Sequence, residues 1–75
     1  MQIDQTLDAT GLNCPLPILR TKKAINALGP GQVLRVIATD PGSVKDMEVF
    51  CRQTGNELLS ADQDSGNYEF LIRKQ

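Results

Sequence analysis

The stretch NCPLP at residues 13–17 constrains this chain more than any other feature, because it places two prolines within three positions. Proline fixes φ and has no backbone N–H, so it disrupts the interior of a helix or of a central strand. The first turn of a helix tolerates proline, since the N–H groups there have no intrahelical partner. We therefore expect a helix with Pro15 at its first position, Pro17 in its first turn and Cys14 at or beside its N-cap.

Hydrophobic periodicity predicts strands and helices in alternation along the rest of the chain. Apolar residues alternate with polar ones over 3–9, and the run over 33–39 is β-branched and mostly apolar, as in a strand buried on at least one face. Where helices are expected, apolar residues recur every three to four residues. Turn residues separate these segments, and DSGN at 64–67 has the composition of a hairpin turn. The predicted elements are a strand over 3–9, a helix over 15–28, a strand over 33–39, a helix from Ser43 to Gly55, and strands over 57–62 and 68–74.

This order predicts a two-layer α/β sandwich of βαβαββ type, in which two helices cover one face of a four-stranded mixed sheet. A chain of 75 residues holds one domain at most, so the predicted domain spans 1–75. The inward side of the first strand is expected to carry Ile3, Gln5, Leu7 and Ala9. The apolar face of the first helix is expected to comprise Ile18, Thr21, Ala24, Ile25 and Leu28, and that of the second Met47, Phe50, Cys51 and Thr54.

The ends of both helices carry typical capping residues. Ser43 is expected to cap the second helix, with Asp46 three positions later as a short variant of the capping box. Gly29 and Gly55 each follow a predicted helix, where a left-handed C′ residue is common. These residues set the expected limits of the two helices.

The composition excludes several classes of function. A net charge of −1 without a basic run gives no surface for nucleic acid. The apolar runs are far shorter than a membrane span, and residues 1–6 do not resemble a signal peptide. Two cysteines and no histidine supply neither a disulfide framework nor a metal site, so we expect no metal, no cofactor and a reducing cytoplasmic location.

The two cysteines have different expected roles. Cys51 lies on the apolar face of the second helix and is expected to be a core residue. A thiolate at Cys14 would face free N–H groups and the positive end of the helix dipole, which predicts a lowered pKa. Because the chain has no histidine, a Cys–His catalytic pair is impossible, and a thiol protease or acyltransferase is not expected.

Several side chains near Cys14 could form its surroundings. Leu16 and Leu19 lie away from the apolar face of the helix and are expected to be exposed, either as isolated leucines or as an apolar docking patch. Asp40 is expected to line the rim of the same site as Cys14, since loops after strands gather where ligands bind. The basic residues Arg20, Lys22 and Lys23 form either a solvated helix face or a contact for an acidic partner.

The segments LDATGLNCPLPILRTKKAI and VIATDPGSVKDMEVFCRQTGNELL together resemble the TusA (SirA-like) family of sulfur-carrier proteins. The resemblance covers nearly the whole chain, and its most specific part is Cys-Pro-x-Pro at 14–17. It implies a βαβαββ sandwich in which Cys14 accepts sulfane sulfur as a persulfide. Position x is Leu16, where some members carry an acidic residue, so the motif leaves the choice of partner open.

The resemblance also implies the kinds of partner. The donor would be a cysteine desulfurase or a rhodanese-like protein, and the acceptor a DsrEFH/TusBCD-type or other sulfur-acceptor protein. The relay could serve tRNA thiolation, molybdenum cofactor or sulfur oxidation, and a monomer is the simplest form for such a carrier. Whether the chain is a sulfurtransferase-type enzyme in its own right stays open.

Two other classes of function remain. Cys14 could be a structural cap in a non-enzymatic regulatory or interaction module. It could also be a redox sensor that is oxidised to a sulfenic acid. The sulfur carrier differs from both because it must take up and release a sulfur atom.

Overall fold

The structure, a computed structural model, describes residues 2–75 and contains two helices and a four-stranded mixed sheet. Met1, which the predicted domain range 1–75 includes, lies outside the described residues. No helix in the described part is both long and apolar enough to cross a membrane. The elements are β1 (Gln5–Ala9), α1 (Leu16–Asn26), β2 (Val33–Ala38), α2 (Ser43–Thr54), β3 (Glu57–Asp64) and β4 (Asn67–Arg73).

The strand order in the sheet is β1-β2-β4-β3. β1 runs parallel to β2, whereas β4 is antiparallel to both of its neighbours. α1 packs against β1 and β2, α2 packs against β3 and β4, and the two helices contact each other. The predicted two-layer α/β sandwich is therefore confirmed, and the parallel pair places the loops after β1 and β2 at the same edge of the sheet.

The core lies between the sheet and the helices, and alternate residues of each central strand supply it. On β2 the inward residues Leu34, Val36 and Ala38 are fully buried, while Arg35 and Ile37 lie on the uncovered face and are only partly buried. Arg35 pairs there with Glu69 at 2.8 Å. The buried cluster comprises Ala9, Ile25, Leu34, Val36, Ala38, Met47, Phe50, Cys51, Phe70 and Ile72.

The β3–β4 hairpin confirms the turn predicted from DSGN. Ser65 and Gly66 both have positive φ, of 50° and 84°, as a two-residue type I′ turn requires. Asp64 and Asn67 face each other across the turn. The strands extend up to this turn, so β3 is two residues longer than predicted and β4 begins one residue earlier.

The predicted start of the chain's first strand is wrong. Pairing with β2 begins at Gln5 opposite Leu34, so the strand covers residues 5–9 and not 3–9. Ile3 precedes the paired region and is 40% exposed, and Gln5 is also exposed. Leu7 and Ala9 do pack against the core, as expected.

α1 is shorter than the predicted helix over 15–28. The N–H of Ala27 donates to the carbonyl of Ala24, and that of Leu28 to the carbonyl of Ile25, so the last turn tightens into i→i−3 bonds. Gly29 was expected to be left-handed, but the residue with positive φ after this helix is Gly31, at 85°. The chain therefore leaves α1 without the expected glycine cap.

α2 differs from its expected caps at the start and matches them at the end. Gly42 is the N-cap and Ser43 is the first helical residue, so the capping box predicted for Ser43 and Asp46 does not form. Gly55 ends the helix in the left-handed conformation, as expected. Thr54, predicted on the apolar face, is exposed and donates its hydroxyl to the Phe50 carbonyl at 2.7 Å.

Candidate functional site

Two hydrogen bonds join the loop after β1 to the loop after β2 and thereby fix the position of Cys14. The N–H of Gly11 donates to the Thr39 hydroxyl at 2.8 Å, and the N–H of Cys14 donates to Oδ2 of Asp40 at 2.9 Å. The parallel pairing of β1 with β2 brings these loops together, since both leave the sheet at the same edge. Asp40 therefore lies beside Cys14, as its place in the sequence suggested.

The two prolines follow Cys14 at the start of α1, but each lies one position earlier in the helix than predicted. Pro15 is the N-cap instead of the first helical residue, Pro17 is the second helical residue, and Cys14 lies just outside the N-cap. The peptide bond between Cys14 and Pro15 is cis. Pro17 is buried, so this proline also anchors the first turn of α1 against the rest of the protein.

A groove between the start of α1 and one side of α2 opens at Cys14. Its volume is about 330 Å³, and Cys14 is exposed at its edge. α1 contributes Ile18, which is half-buried. The complete lining consists of Cys14, Pro15, Ile18, Lys45, Asp46, Val49, Phe50 and Gln53.

The α2 residues of this groove are the part of the site that the sequence analysis missed. Lys45, Val49 and Gln53 recur at a spacing of four residues, which places them on one stripe of the helix. That stripe lies beside the apolar face that Met47 and Phe50 define. The spacing alone could have shown that such a stripe exists, but not that it lies against Cys14.

The pKa of Cys14 is raised, so the expected lowering is wrong. The largest cause is the Asp46 carboxylate as a hydrogen-bond acceptor for the thiol, followed by desolvation and the negative charges of Asp46 and Asp40. The expected stabilisation of a thiolate relied on free N–H groups at the start of α1. Pro15 and Pro17 have no N–H, and the N–H of Leu16 already donates to the Asn13 carbonyl at 2.8 Å.

Asp40 bonds to the residues at the start of α2, where the side-chain cap expected of Ser43 is absent. Its Oδ1 accepts from the N–H of Gly42 at 3.2 Å, and its carbonyl accepts from the Ser43 hydroxyl at 2.6 Å. Since its Oδ2 bonds to Cys14, one aspartate holds both the start of α2 and the residue before α1. Asp46 is then free to face the groove instead of the helix end.

The basic residues of α1 do not form a common rim around Cys14. Arg20 and Lys23 border a cavity next to β1, whereas Lys22 borders another near Lys74, and none of the three lines the groove at Cys14. The cation that lines this groove is Lys45, from α2. Arg20, Lys22 and Lys23 therefore border two different cavities.

Leu16 and Leu19 are exposed, as predicted from their place on the helix. Their exposed fractions are 44% and 55%, the two highest values among the exposed large hydrophobic side chains of residues 2–75. Both lie within the first turn or two of α1, immediately after Cys14 and Pro15. These two exposed side chains, two and five positions after Cys14, are named the Leu16–Leu19 patch below.

Cys51 lies in the core, as expected, and is 4% exposed. Burial raises the pKa of the Cys51 thiol to about 11. At neutral pH this thiol is therefore protonated and has little access to reagents or to a partner.

Replacing Cys51 with alanine should lower the free energy of unfolding by about 1 kcal/mol, because a small buried side chain is removed. Chemical denaturation of Cys51→Ala against the unmodified protein measures this cost. The sulfur loading that the family resemblance implies for Cys14 should persist wherever the variant is folded. Loss of loading in a folded Cys51→Ala protein would show that the two cysteines act together.

Comparison with known proteins identifies the family. The family model described as Sulfurtransferase TusA matches residues 5–74. A sulfur carrier protein TusA of Allochromatium vinosum is 65% identical over 71 residues, which cover 95% of this chain and 93% of the relative. The sulfur carrier protein TusA of Pseudomonas entomophila is 49% identical over 72 residues, covering 96% of this chain and 90% of the relative.

A solved structure supports the same assignment. The crystal structure of a SirA-like protein from Desulfitobacterium hafniense matches with a TM-score of 0.82 and 31% sequence identity. The match covers 92% of this chain and 95% of that protein. By sequence and by fold, this chain belongs to the TusA family.

Proposed function

We propose that the protein is a sulfur carrier that accepts sulfane sulfur as a persulfide on Cys14 and passes it to a downstream acceptor protein. The observation that supports this most is the state of the two cysteines: Cys14 is exposed and free, while Cys51 is buried. Membership of the TusA family and the sulfur-carrier names of its relatives agree with this role.

The proposed transfer moves one sulfur atom without net oxidation. The sulfur of Cys14 attacks the outer sulfur of a donor persulfide, and the S–S bond of the donor breaks. The electron pair of that bond stays on the donor cysteine, which takes up the proton that Cys14 releases. Cys14 then carries the persulfide, and the same exchange with an acceptor thiol returns it to the free thiol.

A carrier persulfide is lost if a second thiol attacks it within the same protein, since this closes a disulfide and releases the sulfur. Cys51 is the other cysteine of the chain, and its side chain packs in the core beside Phe50. An exposed thiol with no accessible neighbour of the same kind therefore suits a carrier.

The partners belong to the same proposal. The donor is a cysteine desulfurase or a rhodanese-like protein, and the acceptor is a DsrEFH/TusBCD-type or another sulfur-acceptor protein. Neither nucleic acid nor a membrane takes part directly. We place the reaction in the cytoplasm, where thiols stay reduced, with the carrier acting as a monomer.

One experiment tests the carrier role against the two other classes. The protein is incubated with a cysteine desulfurase and cysteine, and its intact mass is then measured. A gain of one sulfur that maps to Cys14 is expected. No gain under conditions that load a known carrier would favour a structural module. A gain of oxygen with peroxide, but never of sulfur, would favour a sensor, although the raised pKa of Cys14 is unlike that of sensor cysteines.

The Leu16–Leu19 patch is the surface that we propose for partner docking, with Arg20, Lys22 and Lys23 as charged neighbours. Replacing both leucines, as Leu16→Glu with Leu19→Ser, should slow sulfur transfer to or from the partner protein. The thermal midpoint should change little, because both side chains are exposed. A time course of sulfur transfer measures the first effect, and thermal denaturation measures the change in the thermal midpoint.

The reactivity of Cys14 towards a small alkylating reagent is the control for this variant. That reactivity should stay intact, since the added Glu is a single charge on an exposed helix face. A large fall in the thermal midpoint would show that the leucines belong to the core. Unchanged transfer with every donor and acceptor tested would place the docking surface elsewhere.

A further inference from the structure

The charged groups around Cys14 are predominantly acidic. Asp46, in the first turn of α2, lines the same groove as Cys14, and Asp40 accepts the hydrogen bond from the Cys14 N–H. Lys45 is the cation among the lining residues, and the side of the groove formed by the N-cap Pro15 and by Ile18 of α1 carries no charged side chain. The thiol therefore has two carboxylates and one ammonium group around it.

The backbone near Cys14 offers little to stabilise a thiolate. Pro15 and Pro17 have no N–H to donate, and the N–H groups of Cys14 and Leu16 are already bonded to Asp40 and Asn13. The Asp46 carboxylate can accept a hydrogen bond from an S–H, but it repels a negative sulfur. The geometry of the groove thus favours the neutral thiol over the thiolate.

We propose that Asp46 is a positioning residue that holds the free Cys14 thiol in its protonated form, so that the thiol reacts with a docked sulfur donor in preference to small electrophiles in solution. This proposal rests on the sulfur-carrier function proposed above. It adds a residue from α2 to a site that the Cys-Pro-x-Pro sequence alone places on α1.

The same arrangement distinguishes the empty carrier from the loaded one. In the persulfide the terminal sulfur lies one S–S bond, about 2.05 Å, beyond Sγ, and so farther from the Cys14 backbone than the sulfur of the free thiol. A hydropersulfide is also a stronger acid than a thiol. The loaded carrier can therefore ionise and react at a pH where the empty carrier remains protonated.

This arrangement indicates the chemistry of the donor. To activate Cys14, a donor must offset the two carboxylates, which a cationic side chain next to its own persulfide would do. The proton of Cys14 then passes to the donor cysteine as the S–S bond of the donor breaks, so that no further reactant is needed. A donor surface with Lys or Arg beside its sulfur fits this site.

The test is the pH dependence of alkylation, which requires no sulfur transfer. Asp46→Asn and the unmodified protein are each treated with iodoacetamide over a range of pH, and the rate at Cys14 is measured by intact mass. The profile of Asp46→Asn should move to lower pH, with a rate at neutral pH that is several-fold higher and an unchanged plateau at high pH. Cys51 does not interfere, because it is buried.

Glu48→Gln is the matched control, since it makes the same change of charge on α2 at an exposed residue that does not line the groove. Its profile should stay close to that of the unmodified protein. An unchanged profile for Asp46→Asn, or an equal displacement for Glu48→Gln, would overturn the proposal. If Asp46→Asn does not fold, Asp46→Glu serves in its place, because it keeps the negative charge and should retain the alkylation profile of the unmodified protein. A shift of the Asp46→Glu profile to lower pH would also overturn the proposal.

A loading assay separates this proposal from the carrier function itself. The same proteins are loaded with a cysteine desulfurase and cysteine. Relative to the unmodified protein, the loading rate of Asp46→Asn should rise far less than its alkylation rate. The reason is that a docked donor already offsets the negative charges of the two carboxylates. Equal gains in both rates would contradict the selectivity proposed for Asp46. No loading of the unmodified protein would refute the carrier function, while the alkylation profile would still report on Asp46.

Discussion

Cys14→Ser should abolish sulfur loading and leave the fold intact. A serine hydroxyl cannot form a persulfide, so the intact mass should not change after incubation with a cysteine desulfurase and cysteine. The thermal midpoint should also stay the same, because Cys14 is exposed and its side chain does not cap α1. Serine is often a stabilising N-cap, but that benefit does not apply here, since the N-cap is Pro15.

The matched control for this experiment is Cys51→Ala, which keeps Cys14 and removes the other thiol. It should load one sulfur, whereas Cys14→Ser should load none. A persulfide found on folded Cys14→Ser would assign the carrier role to Cys51. Unfolding of Cys14→Ser would show that the thiol has a structural role at the start of α1.

Phe70→Ala should cause the largest loss of stability. Phe70 is fully buried on the central strand β4, and removal of such a side chain costs about 3–5 kcal/mol through lost burial and the cavity that remains. Small domains have only about 5–15 kcal/mol in total. In a chain of this size the thermal midpoint should fall by on the order of 12 °C or more.

Leu71→Ala is the control for Phe70→Ala, because the next residue of the same strand points to the uncovered face of the sheet. Leu71 is only partly buried there, opposite Arg35 and Ser60. Its truncation should therefore cost much less, about 1 kcal/mol. Denaturant titrations of the two variants compare the faces directly, and equal losses would contradict a sheet covered on one side.

The elements that were predicted well from the sequence are those set by local patterns. The β-branched, mostly apolar run of β2 and the apolar face of α1 each depend on residues close together in the chain, and Thr21 and Ile25 are buried as that face requires. The hairpin turn at Ser65 and Gly66 was predicted equally well. The ends of the elements were less so, because a strand ends where its neighbour ends, as Ile3 shows.

The environment of Cys14 could not be predicted in the same way, since it depends on groups far apart in the sequence. The pattern around Pro15 located the helix start correctly to within one residue. The charge at the thiol, however, is set by Asp40 and Asp46, which the parallel β1–β2 pair and the packing of α2 bring to it. The helix-dipole argument also overlooked that the same prolines remove two of the N–H groups on which it depends.

The two hydrogen bonds that join the loops after β1 and β2 have a consequence for the order in which the partner proteins bind. Because the N–H of Cys14 is bonded to Asp40 and that of Gly11 to Thr39, the backbone of Cys14 occupies one defined place before any partner arrives. A donor and an acceptor must then approach the same place, and one excludes the other. In the proposed relay the donor must leave before delivery can begin, so an excess of sulfur-free donor should act as a competitive inhibitor of the acceptor.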